Sequence, residues 1–149
     1  MTRFFFVALA LAALIGFANP QSASAQSEIL GRWLPPEQDS VIEIYTCADL
    51  VCGRIAHLDD PVDEDGKPRI DNNNRDEALR GRPILGMELL DGFTRKDPGD
   101  YRGGRIYNPR DGKIYKAVMT LLADGTLKLR GYVGVPALGK TQIWTRPAN

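Results

Sequence analysis

The sequence predicts an all-β protein: an eight-stranded antiparallel barrel with one short helix, following a cleaved N-terminal segment. Three observations predict it. Residues 103–146 hold four strand-like runs separated by turn signals at residues 108–112, Asp124-Gly125 and residues 135–139, the spacing of an antiparallel meander. The runs alternate: Leu127 and Leu129 face one side of Thr126-Leu127-Lys128-Leu129-Arg130, and Tyr115, Ala117, Met119 and Leu121 share one face of the preceding run. The upstream chain supplies four more short runs, and eight antiparallel strands close readily into a small barrel that leaves no free edge. A two-sheet sandwich is the alternative arrangement of the same runs.

Arg3 gives a positive start, residues 4–17 are an apolar run too short to cross a bilayer as a helix, and Ala23-Ser24-Ala25 is a small-x-small cleavage site. Residues 1–25 are therefore expected to be a signal peptide and residues 26–149 a single domain. No cysteine at the cleavage site invites a lipid, no twin arginine precedes the run, and an uncleaved anchor is the competing reading. Cleavage leaves 124 residues of 149, with 18 basic and 19 acidic side chains, and no later apolar run could span a membrane. A periplasmic or secreted location is expected. This charge balance, without a basic cluster, argues against nucleic acid and anionic membrane surfaces as partners.

The remaining elements follow in order. Gly31-Arg32-Trp33-Leu34 opens the first strand, and Pro35-Pro36 stops it. Residues 41–46 and 53–58 form a hairpin around Cys47 and Cys52. Two cysteines in an exported chain favour a disulfide that staples this turn, and the four-residue spacer does not match a redox CxxC pair. A metal pair is the other rival reading, with no second ligand pair in sight. Residues 59–74 are rich in carboxylates and amides and almost free of apolar side chains. They read as a solvated loop or, less simply, a cation loop, although the EF-hand pattern fails when Gly66 is set at its glycine position. Residues 74–80 suit one or two helical turns, capped by an Asn among 72–74 and stopped by Pro83. Residues 84–94 read as a strand bent at Gly86 or Gly92, and residues 95–102 as a loop.

Catalytic chemistry finds little material, and no catalytic residue, cofactor or metal ligand is assigned. Ser27 and Ser40 are the only serines after cleavage, and His57 is the sole histidine, at a strand end where a packing or surface role is commoner. No glycine-rich loop precedes a helix, and a zinc site would lack ligands. A carboxylate-dependent enzyme stays open as the last-ranked reading.

Gly31-x-Trp33, Asp71-x-Asn73-Asn74, Gly103-Gly104-x-Ile106-Tyr107-x-Pro109-x-Asp111-Gly112-x-x-Tyr115, and Gly131-Tyr132-x-Gly134 through Gly139 to Trp144-x-Arg146 resemble a family of bacterial exported proteins, the domain of unknown function 2147. The resemblance covers essentially the whole mature chain. It implies a lipocalin-like barrel and brings no activity. Lipocalin-type barrels open with Gly-x-Trp and end with an Arg packed on that Trp, so the looser similarity pairs Trp33 with Arg146 as barrel closure through cation–π contact.

An eight-stranded barrel is either filled by side chains or holds one ligand. The first expectation is a small apolar ligand in the barrel, lined by Tyr107, Tyr115, Met119 and Tyr132, with the polar loops framing the mouth. The alternative is a filled barrel acting as a cell-envelope interaction module through an envelope protein partner.

Overall fold

The computed structural model describes residues 28–148; the expected signal peptide lies outside them. Eight strands are present among the described residues: β1 (Gly31–Trp33), β2 (Ser40–Cys47), β3 (Leu50–Leu58), β4 (Glu88–Asp97), β5 (Asp100–Asn108), β6 (Lys113–Leu121), β7 (Leu127–Tyr132) and β8 (Lys140–Trp144). Each pairs antiparallel with the next, in one sheet. The sheet curls until its two edges meet. Leu34, just past β1, exchanges both backbone hydrogen bonds with Thr145, just past β8, at 2.8 and 3.0 Å. One curled sheet, not two stacked ones, sets the sandwich aside. No helix of the described residues is long and apolar enough to cross a membrane.

Three elements differ from the sequence reading. The expected loop at residues 95–102 is a tight hairpin, in which β4 runs to Asp97 and β5 starts at Asp100. Pro98 followed by Gly99 at φ +72° is the pairing a type II turn requires, so two residues suffice for the reversal. The strand expected from residue 84 starts at Glu88, because Ile84 donates its N–H to Arg69 in the preceding loop. The short helix is a single 3₁₀ turn, Glu77–Leu79, capped by Asp76, whose side chain accepts from the Ala78 N–H. The expected cap among Asn72–Asn74 is therefore displaced to Asp76; Asn74 is buried, donates its amide to Asp71 and accepts from the Asp76 N–H. A second 3₁₀ turn, Pro136–Leu138, lies between β7 and β8.

The core occupies one end of the barrel. Trp33, Ile44, Val51, Leu90, Phe93, Tyr101, Met119 and Leu127 are essentially inaccessible there. Their bulk is admitted by two glycines. A Cβ on Gly104 would lie 2.4 Å from the Phe93 ring, and one on Gly53 would lie 2.8 Å from Leu90. The ring and the leucine therefore pack flat against bare backbone, as close approach demands. Cys47 and Cys52 form the disulfide across the β2–β3 turn, with Cα atoms 5.8 Å apart.

Candidate functional site

The other end of the barrel is open. A cavity of about 1170 Å³ enters between the loops and runs down to a floor of Ile42, Ile55, Leu89, Ile106, Leu129 and Trp144. These side chains come from β2, β3, β5, β7 and β8, with Leu89 from β4, so the floor exists only once the barrel has closed. Trp144 donates its indole N–H to Gln142 at 3.0 Å, which leaves the ring face as an apolar surface.

Four connections frame the mouth. The β1–β2 loop supplies Glu37 and Asp39, the long β3–β4 loop Asp60, Arg69 and Asn73, the β5–β6 turn Arg110 and Asp111, and the β7–β8 loop Val133 and Leu138. Arg110 reaches Asp39 at 2.5 Å, an ion pair joining two of these loops. Both partners are well exposed, so this pair contributes little to stability.

The long β3–β4 loop, read from sequence as a solvated or cation-binding segment, is anchored by a buried polar knot. Asp71 is fully buried. It accepts from the Tyr107 hydroxyl at 2.5 Å, the Asn74 amide at 2.7 Å and the Arg82 Nε at 2.9 Å, while Arg82 also lies over the Tyr107 ring. Asn73 donates to the carbonyls of Pro109 and Arg110 at 3.1 and 3.2 Å. A Cβ on Gly112 would fall 1.7 Å from the Asn73 carbonyl oxygen, so only glycine fits there, and its φ of +67° asks for glycine too. A buried carboxylate is tolerated because it is paired and hydrogen-bonded. Three acids of residues 59–67 are engaged locally: Asp63 accepts from the N–H groups of Asp65 and Lys67, Asp59 pairs with His57 and Asp65 with Lys67.

The expected ligand residues part company. Tyr115 borders the cavity, and its hydroxyl donates to Asp111 at 2.6 Å. Tyr107 borders the cavity too, but alternation along β5 turns it outwards, beneath the long loop, where Asp71 holds its hydroxyl. Tyr132 reaches the cavity at the end of β7, where it pairs with Lys116 and alternation turns it towards the outer face. Met119 is buried in the core and is not on the cavity wall. The phenols of Tyr107 and Tyr115 remain neutral at ordinary pH. Burial and then the bond to Asp71 raise Tyr107, and the bond to Asp111 raises Tyr115. Burial opposes ionisation of Asp111, yet the bonds from Tyr115 and the Lys113 N–H outweigh it and hold that carboxyl below its usual value.

Trp33 and Arg146 meet at the closed end. The Arg146 guanidinium lies 3.8 Å from the indole ring centre and donates to the carbonyls of Leu30, Arg32 and Glu28. Trp33 donates its own N–H to Ile29 at 2.8 Å. His57 stands exposed beside Asp59, away from the cavity wall. Cys52, Glu88 and Asp91 lie close enough to share a cation. However, the Cys52 sulfur is in the disulfide, Tyr45 donates to Glu88 at 2.6 Å and Arg105 pairs with Asp91.

The sequence reading gave no site role to Asp71, Arg82 or any residue of the cavity floor, although alternation turned Leu129 inwards. The signal for Asp71 was present in Asp71-x-Asn73-Asn74, a run too regular for an indifferent loop.

Comparison with known proteins places this geometry. Residues 31–146 match the model of a family described as an uncharacterized protein conserved in bacteria, DUF2147. Among solved structures, the chain is similar to protein HP1028 from the human pathogen Helicobacter pylori, described as belonging to the lipocalin family. The two share 25% sequence identity over 80% of this chain and 83% of that one, with a TM-score of 0.68. No curated protein matches the chain.

Proposed function

We propose, for a chain that belongs to the DUF2147 family and has a lipocalin-like barrel, that the open half of the barrel binds one small, largely apolar ligand. The observation that carries this reading is the cavity of about 1170 Å³ over an apolar floor. Ligand sites are concave, mostly apolar and largely pre-formed, with volumes of roughly 300–1,000 Å³. This one, at about 1170 Å³ with its rim included, lies just above that range. Polar atoms of the lining are already engaged: Trp144 with Gln142, Tyr115 with Asp111 and, behind the wall, Tyr107 with Asp71. An apolar guest therefore leaves no buried group unsatisfied, whereas a strongly polar guest would lose water without replacement. The signal-peptide reading of residues 1–25 supports a place in the periplasm or outside the cell. Trp33 and Arg146 close the far end in this scheme, and Tyr115 and Tyr132 contribute to the wall.

The test uses Gly131, which lines the cavity in β7. A Cβ there meets nothing closer than 3.5 Å, so Gly131→Phe fills the cavity without backbone strain. Titration with the uncharged fluorophore N-phenyl-1-naphthylamine should saturate at one probe per chain and raise the melting temperature by mass action. The filled variant should bind about tenfold more weakly or worse while melting at or above the unliganded protein. Absence of saturable binding, or equal binding by Gly131→Phe, would overturn the reading in favour of an envelope interaction module that works through its surface.

A further inference from the structure

The β7–β8 connection stands out from the rest of the surface. Val133 is 70%, Val135 54% and Leu138 80% exposed, three large apolar side chains within six residues. Their exposure is held in place. Arg130 donates Nε to the Pro136 carbonyl at 2.6 Å, one Nη to the Ala137 carbonyl at 3.0 Å and the other to the Thr141 hydroxyl at 2.6 Å. Gly139 packs so closely on β7 that a Cβ would lie 2.5 Å from the Gly131 carbonyl oxygen. A loop braced from beneath by its own strand does not fold its apolar tip back onto the barrel.

The charge on this hairpin has one sign. No Asp or Glu follows Asp124, while Lys128, Arg130 and Lys140 stand on the two strands of this hairpin. The near-zero charge of the whole chain averages over this segregation, which is why composition argued against an anionic membrane partner. The four acids at the mouth, Glu37, Asp39, Asp60 and Asp111, belong to other loops, and Asp39 is engaged by Arg110 and Asp111 by Tyr115.

We infer that the apolar tip at residues 133–138 is a docking surface for an anionic lipid bilayer. A stable protein partner needs roughly 800 Å² on each side, which three side chains on a convex loop do not supply. A bilayer asks for less: a few apolar side chains seated among the headgroups, with nearby Lys and Arg drawn to anionic lipid. Because Val133 and Leu138 also line the cavity, docking sets the β7–β8 side of its mouth against the lipid.

Co-sedimentation of the purified protein, residues 26–149, with vesicles tests this without any ligand. Binding to phosphatidylglycerol-containing vesicles is expected, with much less to pure phosphatidylcholine and less at raised salt. Leu138→Asp and Val135→Asp sit on exposed positions, so the fold should survive, which far-ultraviolet circular dichroism verifies. Each should weaken vesicle binding about tenfold, and Lys140→Glu should remove the preference for anionic lipid. No co-sedimentation with anionic vesicles, or unchanged binding by both Asp variants, would overturn the inference. So would a wild-type dimer by light scattering that Leu138→Asp converts to monomer, since the tip would then be a contact between copies.

Discussion

The two ends of this barrel are made by the same strands and differ in what their inward side chains do. At the closed end, Trp33, Phe93, Tyr101 and Met119 fill the space, and Gly53 and Gly104 withdraw so that Leu90 and Phe93 fit. At the mouth, the inward positions carry Ile42, Ile55, Ile106 and Gly131, which leave room. Polar atoms divide in the same way. At the closed end Arg146 and Trp33 donate to backbone carbonyls that the lead-in to β1 would otherwise leave unmet. At the mouth the contacts are between side chains: Asp39 with Arg110 joins two loops, and Asp71 with Arg82 and Tyr107 ties the long loop to itself and to β5. A barrel can thus be both filled and hollow, with rigidity supplied from one end to a site at the other.

The largest expected effect would break this division at its closed end. Trp33→Ala should cost about 3–5 kcal/mol, the range for removing a buried large aromatic, read from the denaturant midpoint. A loss under about 1 kcal/mol would mean that the closed end is no core and that the two ends are alike.

A smaller effect is expected at the knot. Asp71→Ala should cost about 2–3 kcal/mol, less than breaking a fully buried ion pair, because the Arg82 side chain is 35% exposed and can turn to water. Hydrogen exchange should quicken at residues 69–84 while the closed-end amides keep their protection. Uniform quickening would show that the long loop is part of the core and not an attachment to it.

The smallest effect sharpens the same point through pH. Tyr107 titrates above its ordinary value of 10.0, from burial first and the Asp71 bond second. A group with a raised folded pKa contributes stability that is complete below the unfolded value and is lost as pH rises through the folded one. Stability should therefore hold from neutral pH to about 10 and fall above it. Tyr107→Phe, which has no proton to lose, should show a shallower alkaline fall. An identical slope in that variant would assign the alkaline loss to other groups.

Much of the scaffold was legible in the sequence. Alternation at residues 126–130 and 115–121 placed Leu127, Leu129, Ala117 and Met119 inwards, and the Asp124-Gly125 turn separated their strands. Both are local signals with a period of two. The pairing of Trp33 with Arg146 was suggested by resemblance and by no local rule. The Pro98-Gly99 hairpin was missed because its flanks, Arg95-Lys96-Asp97 and Asp100-Tyr101-Arg102, look like a loop by polarity although they are strands, with Lys96, Asp97 and Arg102 exposed and Tyr101 and the Arg95 Nε buried. Residues 71–74 looked solvated for the same reason. Composition does not show that Asp71 meets Arg82 eleven residues on and Tyr107 thirty-six residues on.

The sequence alone determined the strand content, the turn positions, the cysteine staple and the absence of acids after Asp124, because each depends on neighbours within a few residues. The tertiary structure alone decided that the barrel is filled at one end and hollow at the other, that an acidic loop residue is buried, and that three apolar residues of one loop stand outside. Those outcomes depend on which side chains meet across a closed sheet. Closure brings Ile42, Ile55, Leu89, Ile106, Leu129 and Trp144 around one space, and no single strand carries that information.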